Sequence, residues 1–153
     1  MIFYFAKHYN AKSELGVMEF KIDYIIDDIK DFIELCITNG ENHTGKTTTE
    51  FAERKKLSHV ISNLHASDQT IIFTKLKEPE RKTFVQEFTS ALHEDIILFL
   101  ETNLLYEFLN IIGLEKFIYF VAMLEFDEIV EILEKLDDEH QETIMKMLPF
   151  KKR

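Results

Sequence analysis

A triplet of apolar residues returns every twelve positions from Val60 to Leu148, and few folds can accommodate that spacing. The triplets are Val60-Ile61-Leu64, Ile72-Phe73-Leu76, Phe84-Val85-Phe88, Ile96-Ile97-Leu100, Phe108-Leu109-Ile112, Phe120-Val121-Leu124, Ile132-Leu133-Leu136 and Ile144-Met145-Leu148. In a chain that is 46% hydrophobic, random placement would fill all these positions with odds on the order of 10⁻⁸, before allowing for the registers compared and for helical correlation between neighbours. Within a triplet the steps of three and four share one face of an α-helix. Between triplets, twelve residues at about 100° each turn the stripe by about 120°, so one continuous helix would wind it around the whole cylinder. Short helices of roughly two turns, each followed by a sharp turn, remove the conflict.

The residues between triplets agree. His65-Ala66-Ser67-Asp68, Lys77-Glu78-Pro79-Glu80, Thr89-Ser90, Glu101-Thr102-Asn103, Gly113, Glu125-Phe126-Asp127 and Asp137-Asp138 follow them. Most suit an N-cap or a first helical turn; Pro79 fits an early helical position and Gly113 a helix end. Two units make a 24-residue helical hairpin, within the range of solenoid repeats. Helices this short are marginal alone, so burial against neighbours must hold the stack together.

The segments Leu64-His65-Asp68, Leu124 with Asp127, Glu128 and Glu131, and Leu148-Pro149 form a pattern that resembles the cytoplasmic N-domain of MgtE-type magnesium transporters. The resemblance covers about residues 57–149, and its motifs are moderately specific, since leucine-rich short helices with acidic turns also occur in superhelical domains such as that of the flagellar motor protein FliG. It implies an all-α, right-handed superhelix of short helices. It also implies a place on the cytoplasmic face of the membrane, beside paired CBS domains and ahead of a membrane pore, in a homodimeric parent where Mg²⁺ between acidic surfaces favours the closed state.

A length of 153 residues suits one domain that buries about two-thirds of its unfolded surface. Eighteen Lys and Arg against 28 Asp and Glu give a net charge of −10, the wrong sign for nucleic acid or an anionic membrane. The single cysteine, Cys36, excludes an intramolecular disulfide and a cysteine-based zinc cluster and fits a reducing compartment. Four Gly and two Pro leave little room for a β-rich or disordered chain.

The expected organisation is an N-terminal extension at 1–19, a capping helix at 20–38, a linker loop at 39–49, the helical-repeat domain at 50–149, and a truncated linker at 150–153. Met1–Phe5 is apolar but too short to span a bilayer, and no basic segment or small-residue cleavage site accompanies it. In Phe20–Ile37, Ile22, Ile25, Ile26, Ile29, Phe32, Ile33 and Cys36 form one stripe, with Asp27, Asp28, Asp31 and Glu34 elsewhere. That pattern predicts a longer helix closing the open face of the stack, with Cys36 a small core hydrophobe rather than a nucleophile. The stack should begin at Glu50–Asn63, with Phe51, Leu57, Val60 and Ile61 inward and Arg54-Lys55-Lys56 solvated. Leu114–Leu124 is the most apolar unit and should be the most enclosed.

Gly40–Thr47 satisfies the G-x-x-x-x-G-K-[ST] phosphate-loop pattern, and Ile118–Leu124 leading into Asp127-Glu128 echoes a Walker B strand. A nucleotide site there needs a strand before the loop, a helix after it and a parallel sheet. No strand–helix alternation is visible, and a Gly/Thr-rich surface linker accounts for the same residues.

The six histidines show no metal-ligand spacing, and His65 suits a capping or turn-packing role. Glu125–Glu142 carries nine carboxylates against one lysine. Asp127 and Glu131 share a helix face, and Glu128 and Glu131 are neighbours; such like-charge pairs cost about 0.2–0.5 kcal/mol each on an exposed helix. A hydrated Mg²⁺, a hard cation that keeps several waters and binds through one or two carboxylates, would offset them. A solvated acidic face that complements helix dipoles is the other reading. By the resemblance, Asp127, Glu128 and Glu131 are metal-binding residues whose other ligands come from a CBS domain, so Mg²⁺ binding by this chain alone is expected to be weak.

No nucleophile–base pair or oxyanion-type glycine turn is apparent, so no enzyme is expected. The expected function is a Mg²⁺-sensing regulatory domain of an MgtE-like transporter. The alternatives are a FliG-like helical-repeat adaptor that docks a partner helix and, more remotely, a phosphate-loop NTPase using Gly40–Thr47.

Overall fold

The computed structural model describes residues 15–41 and 48–149, and among them every regular element is helical. Helix α1 spans Leu15–Glu41. It is followed by α2 (Thr48–Ser62), α3 (Ala66–Lys75), α4 (Glu78–Phe88), a 3₁₀ turn at Thr89–Ala91, and α5 (Ile96–Phe99). The chain continues through α6 (Thr102–Ile112), α7 (Leu114–Ala122), α8 (Phe126–Glu134) and α9 (Asp138–Met147).

Each triplet falls at the C-terminal end of one short helix, so the twelve-residue period is the period of helix and turn. The residue directly after a triplet is the N-cap of the next helix at His65, Lys77, Glu101, Gly113, Glu125 and Asp137. Nearly all triplet side chains are buried in one continuous core; Val60, Leu64, Ile112 and Leu133 are half-buried. Met145, in the last unit, is exposed, as fits an end position with no later helix packed on it among the described residues. Helix α1 lies along α2, α3 and α4, while α3 packs on α5, α4 on α6, and α6 through α9 each on the next.

Helix α1 is longer than its apolar stripe suggests, beginning at Leu15 and running to Glu41. Its stripe from Ile22 to Ile33 is buried and Cys36 half-buried, as the spacing predicts, but Asp28 is buried among them with 6% of its surface exposed. In α2 two expectations fail. Phe51 points outward, and Arg54 is drawn inward beside the buried Glu50. The inward phase of this helix is set by Glu50, Leu57 and Ile61, and Phe51 is one residue out of step with it. Helix α7 buries Phe117, Ile118, Phe120 and Val121, yet Tyr119 and Met123 are exposed, so it is a surface helix rather than the most enclosed one.

The unit at 89–100 departs from the pattern. In place of a two-turn helix it has the 3₁₀ turn, a short irregular segment and the four-residue α5. Backbone groups left without helical partners need others. Gln69, fully buried on α3, supplies them: its Nε2 donates to Ile61 O (2.8 Å) and Ala91 O (3.0 Å), and its Oε1 accepts from His93 N (2.8 Å). At the other end Lys135 Nζ donates to Leu98 O (3.0 Å) and Leu100 O (3.2 Å), satisfying carbonyls at the end of α5 with a charge that suits that helix terminus.

One residue, Gly113, joins α6 to α7 at φ 86° and ψ 158°, a region that only glycine enters without strain. A Cβ at this position would meet nothing within 4 Å, so the strain of a larger residue is in the backbone alone. Gly113→Ala is expected to lower stability by about 1–3 kcal/mol, measured as a reduced urea midpoint with an unchanged denaturant slope.

Candidate functional site

Helix α8 has two unlike sides. Ile129 and Ile132 face the core, while Asp127, Glu131 and Glu134 are exposed on a single outward stripe. Glu128, half-buried, accepts a hydrogen bond from the Glu125 amide at 2.9 Å through Oε1, one arm of a capping box that ties it to the helix start. Of the three carboxylates expected to bind metal, the fold thus brings Asp127 and Glu131 together on one exposed face and gives Glu128 a local structural partner as well. No ion pair joins Asp127 or Glu131 to a basic side chain among the described residues. Nor do any three His, Cys, Asp or Glu side chains there converge to hold a metal ion by themselves.

Beside this face, Asp137 locks the start of α9 to α6. Its carboxylate accepts from the His140 amide (2.9 Å), contacts the His140 ring Nδ1 (2.9 Å), and accepts from the Tyr106 hydroxyl (2.8 Å), while its own amide donates to that hydroxyl (2.7 Å). Hydrogen bonds from the His140 amide and ring, with the Tyr106 hydroxyl, hold the Asp137 carboxyl down at about 2. Its oxygens are therefore spoken for. The pairing of Tyr106 with Asp137, 31 residues apart, left no signal in the spacing of the sequence.

His65 acts as an N-cap, its Nδ1 accepting from Ser67 N at 3.2 Å, which agrees with the capping role expected for it. The phosphate-loop reading lacks its context. The residues leading into Gly40 are helical rather than extended, and Ile118–Leu124, the would-be Walker B strand, lies in α7 and the turn after it. Residues 42–47 of the loop lie outside the described residues.

A second polar group sits where α1, α2 and α4 meet. Arg54 pairs with Glu50 (3.3 Å) and Glu87 (2.8 Å) and lies 5.5 Å from the Phe32 ring centroid. The Cys36 thiol donates to Glu50 Oε1 at 3.2 Å. Burial and the Glu50 carboxylate push that thiol up to about 12, so it is a structural rather than a reactive cysteine. Farther along α1, burial pushes the Asp28 carboxyl up to about 6, helped by Asp31 and Glu53 nearby, and its Oδ2 has no hydrogen-bond partner among the described residues.

Fold and surface together define an all-helical repeat domain with an outward acidic edge and no assembled catalytic group among the described residues. The family profile of the MgtE intracellular N domain matches residues 52–153, and the chain belongs to that family. The match places it among the components of MgtE-type magnesium transporters. No curated protein and no solved structure matches the chain. Among the described residues no helix is long and apolar enough to cross a membrane.

Two outcomes follow from these environments. Asp28 titrates at about 6 when folded against 3.8 for an unperturbed aspartate, so its burial costs nothing below the lower value, costs progressively more as pH rises between the two, and reaches its full penalty above the higher. Asp28→Asn should therefore stabilise the chain by about 1–3 kcal/mol at pH 8 and leave it unchanged below the lower pKa, as read by urea unfolding at both pH values. Alkylation of Cys36 by iodoacetamide should be more than about tenfold slower in the native chain than in urea.

Proposed function

We propose that this chain is the Mg²⁺-sensing regulatory domain of an MgtE-like transporter, lying at the cytoplasmic face of a homodimeric parent. The observation that carries the reading is the outward stripe of α8 (Asp127 and Glu131 exposed, Glu128 beside them) in a chain of this family. Like charges held this close on a helix repel, and a hydrated divalent cation relieves the repulsion through one or two carboxylates and its own waters. A face with too few ligands for a closed site is suited to a shared one. The remaining oxygens would come from a CBS domain pressed against it, as full-length members of the family contain.

Such an arrangement is a population shift. Mg²⁺ binds better when the two acidic surfaces are apposed than when they are apart, so rising Mg²⁺ favours the apposed, closed arrangement, and falling Mg²⁺ releases it. The size of the effect is bounded by the difference in affinity between the two states. No catalytic step enters this reading.

Titrating MgCl₂ into the chain, with NaCl matched for ionic strength as control, tests it by thermal unfolding and hydrogen exchange. The expected outcome is a Mg²⁺-specific gain that needs millimolar concentrations and reaches about 1.4 kcal/mol at ten times Kd, with exchange slowed around α8. The double substitution Asp127→Asn with Glu131→Gln should abolish the gain while raising the Mg²⁺-free stability slightly. Equal responses to Mg²⁺ and matched NaCl would sink the proposal.

A further inference from the structure

Elsewhere in this fold large apolar side chains are exposed at Ile37, Phe51, Ile71 and Phe99, and at Met145 and Met147 on α9. From α7 into α8 four of them follow one another at three- and four-residue spacing. Tyr119 (63% exposed) stands on α7 and Met123 (56%) in the turn directly after it, four residues apart. Phe126 (63%) follows three residues later across the turn, and Val130 (41%) four after that on α8. None of the four serves the core, which α7 and α8 build from other side chains. A run of large apolar groups left on a surface is the mark of an interaction site.

The charge beside the run states what it fits. Around α8 the apolar pair Phe126 and Val130 passes directly into the exposed carboxylates Glu134, Asp127 and Glu131. Of the two lysines in these units, Lys116 stands on α7, and Lys135 is turned back to the carbonyls of Leu98 and Leu100. The described residues contain no sheet edge to which an extended peptide could add a strand. What remains is side-chain recognition by a helix with anchors at three- and four-residue spacing.

We infer that Tyr119, Met123, Phe126 and Val130 form a docking surface for a basic amphipathic helix, its apolar stripe seated on these four and its Lys and Arg borders facing Asp127, Glu131 and Glu134. Carboxylate fields steer such a helix in and reject an acidic one, while the aromatic anchors and the adaptable Met123 supply the contact. The inference stands on the fold and surface of this chain and holds whether or not Mg²⁺ binds.

The probe is a synthetic amphipathic helix of Leu and Lys, titrated into the full chain and followed by backbone NMR shifts and calorimetry, beside the same peptide with every Lys replaced by Glu. Expected are shifts centred on 119–130, binding that weakens in high salt, no binding of the acidic peptide, and a loss of at least about tenfold in affinity for Tyr119→Ser with Phe126→Ser. Both substituted side chains are exposed, and unchanged thermal unfolding of the variant verifies that it is folded. Equal binding of both peptides, shifts elsewhere on the chain, or affinity untouched by the double substitution would each overturn the inference. So would self-association of the chain through these four residues with no peptide binding.

Discussion

Helices of nine to eleven residues, six of them among the described residues, do not persist in water by themselves, because each must nucleate before it gains many hydrogen bonds. Their stability comes from the contacts that three apolar side chains per unit make with neighbouring units. Each unit is therefore conditional on those around it, and stability runs along the stack as a sum of nearest-neighbour interfaces. Phe73, Phe84, Phe88, Phe108 and Phe117 are all fully buried, with edge-on ring contacts such as Phe73–Phe108 at 5.8 Å and Phe108–Phe120 at 5.7 Å that tie one unit to another. The long α1 covers α2, α3 and α4, an end that would otherwise present bare apolar surface.

Polar side chains do a different job. Where the helical pattern is kept, backbone groups are satisfied locally and the caps suffice. Where it lapses, at 89–100, side chains from distant units take over: Gln69 bridges Ile61, Ala91 and His93, and Lys135 reaches Leu98 and Leu100. Arg81 belongs to the same class, bonding Glu107 on α6 and the carbonyl of Leu76 while lying 5.7 Å from the Phe73 ring centroid. These bridges hold the register of the stack at points where apolar packing alone would allow sliding.

The acidic edge of α8 follows from the same construction. A helix with one buried stripe must expose the rest, and here the exposed part divides into an apolar run and a carboxylate run side by side. The first offers contact area and the second offers charge. A divalent cation and a basic helix are the two kinds of ligand that such a surface suits, and both relieve the repulsion among Asp127, Glu131 and Glu134.

The sequence by itself determined the short helices of the stack, their turns and most of the core, because a side chain's place on a short helix depends on local spacing, and a period of twelve leaves only short helices and turns to satisfy it. It also located the acidic stripe, since Asp127 and Glu131 lie four apart on one helix. Tertiary structure alone decided the inward turn of Glu50 and Arg54, the burial of Asp28, the irregular course of 89–100 and the exposure of Tyr119 and Met123. Each depends on which neighbouring helix lies across a given face and at what rotation. Partners such as Tyr106 and Asp137, 31 residues apart, meet only when the units between them have stacked, and no periodicity within either segment encodes that distance.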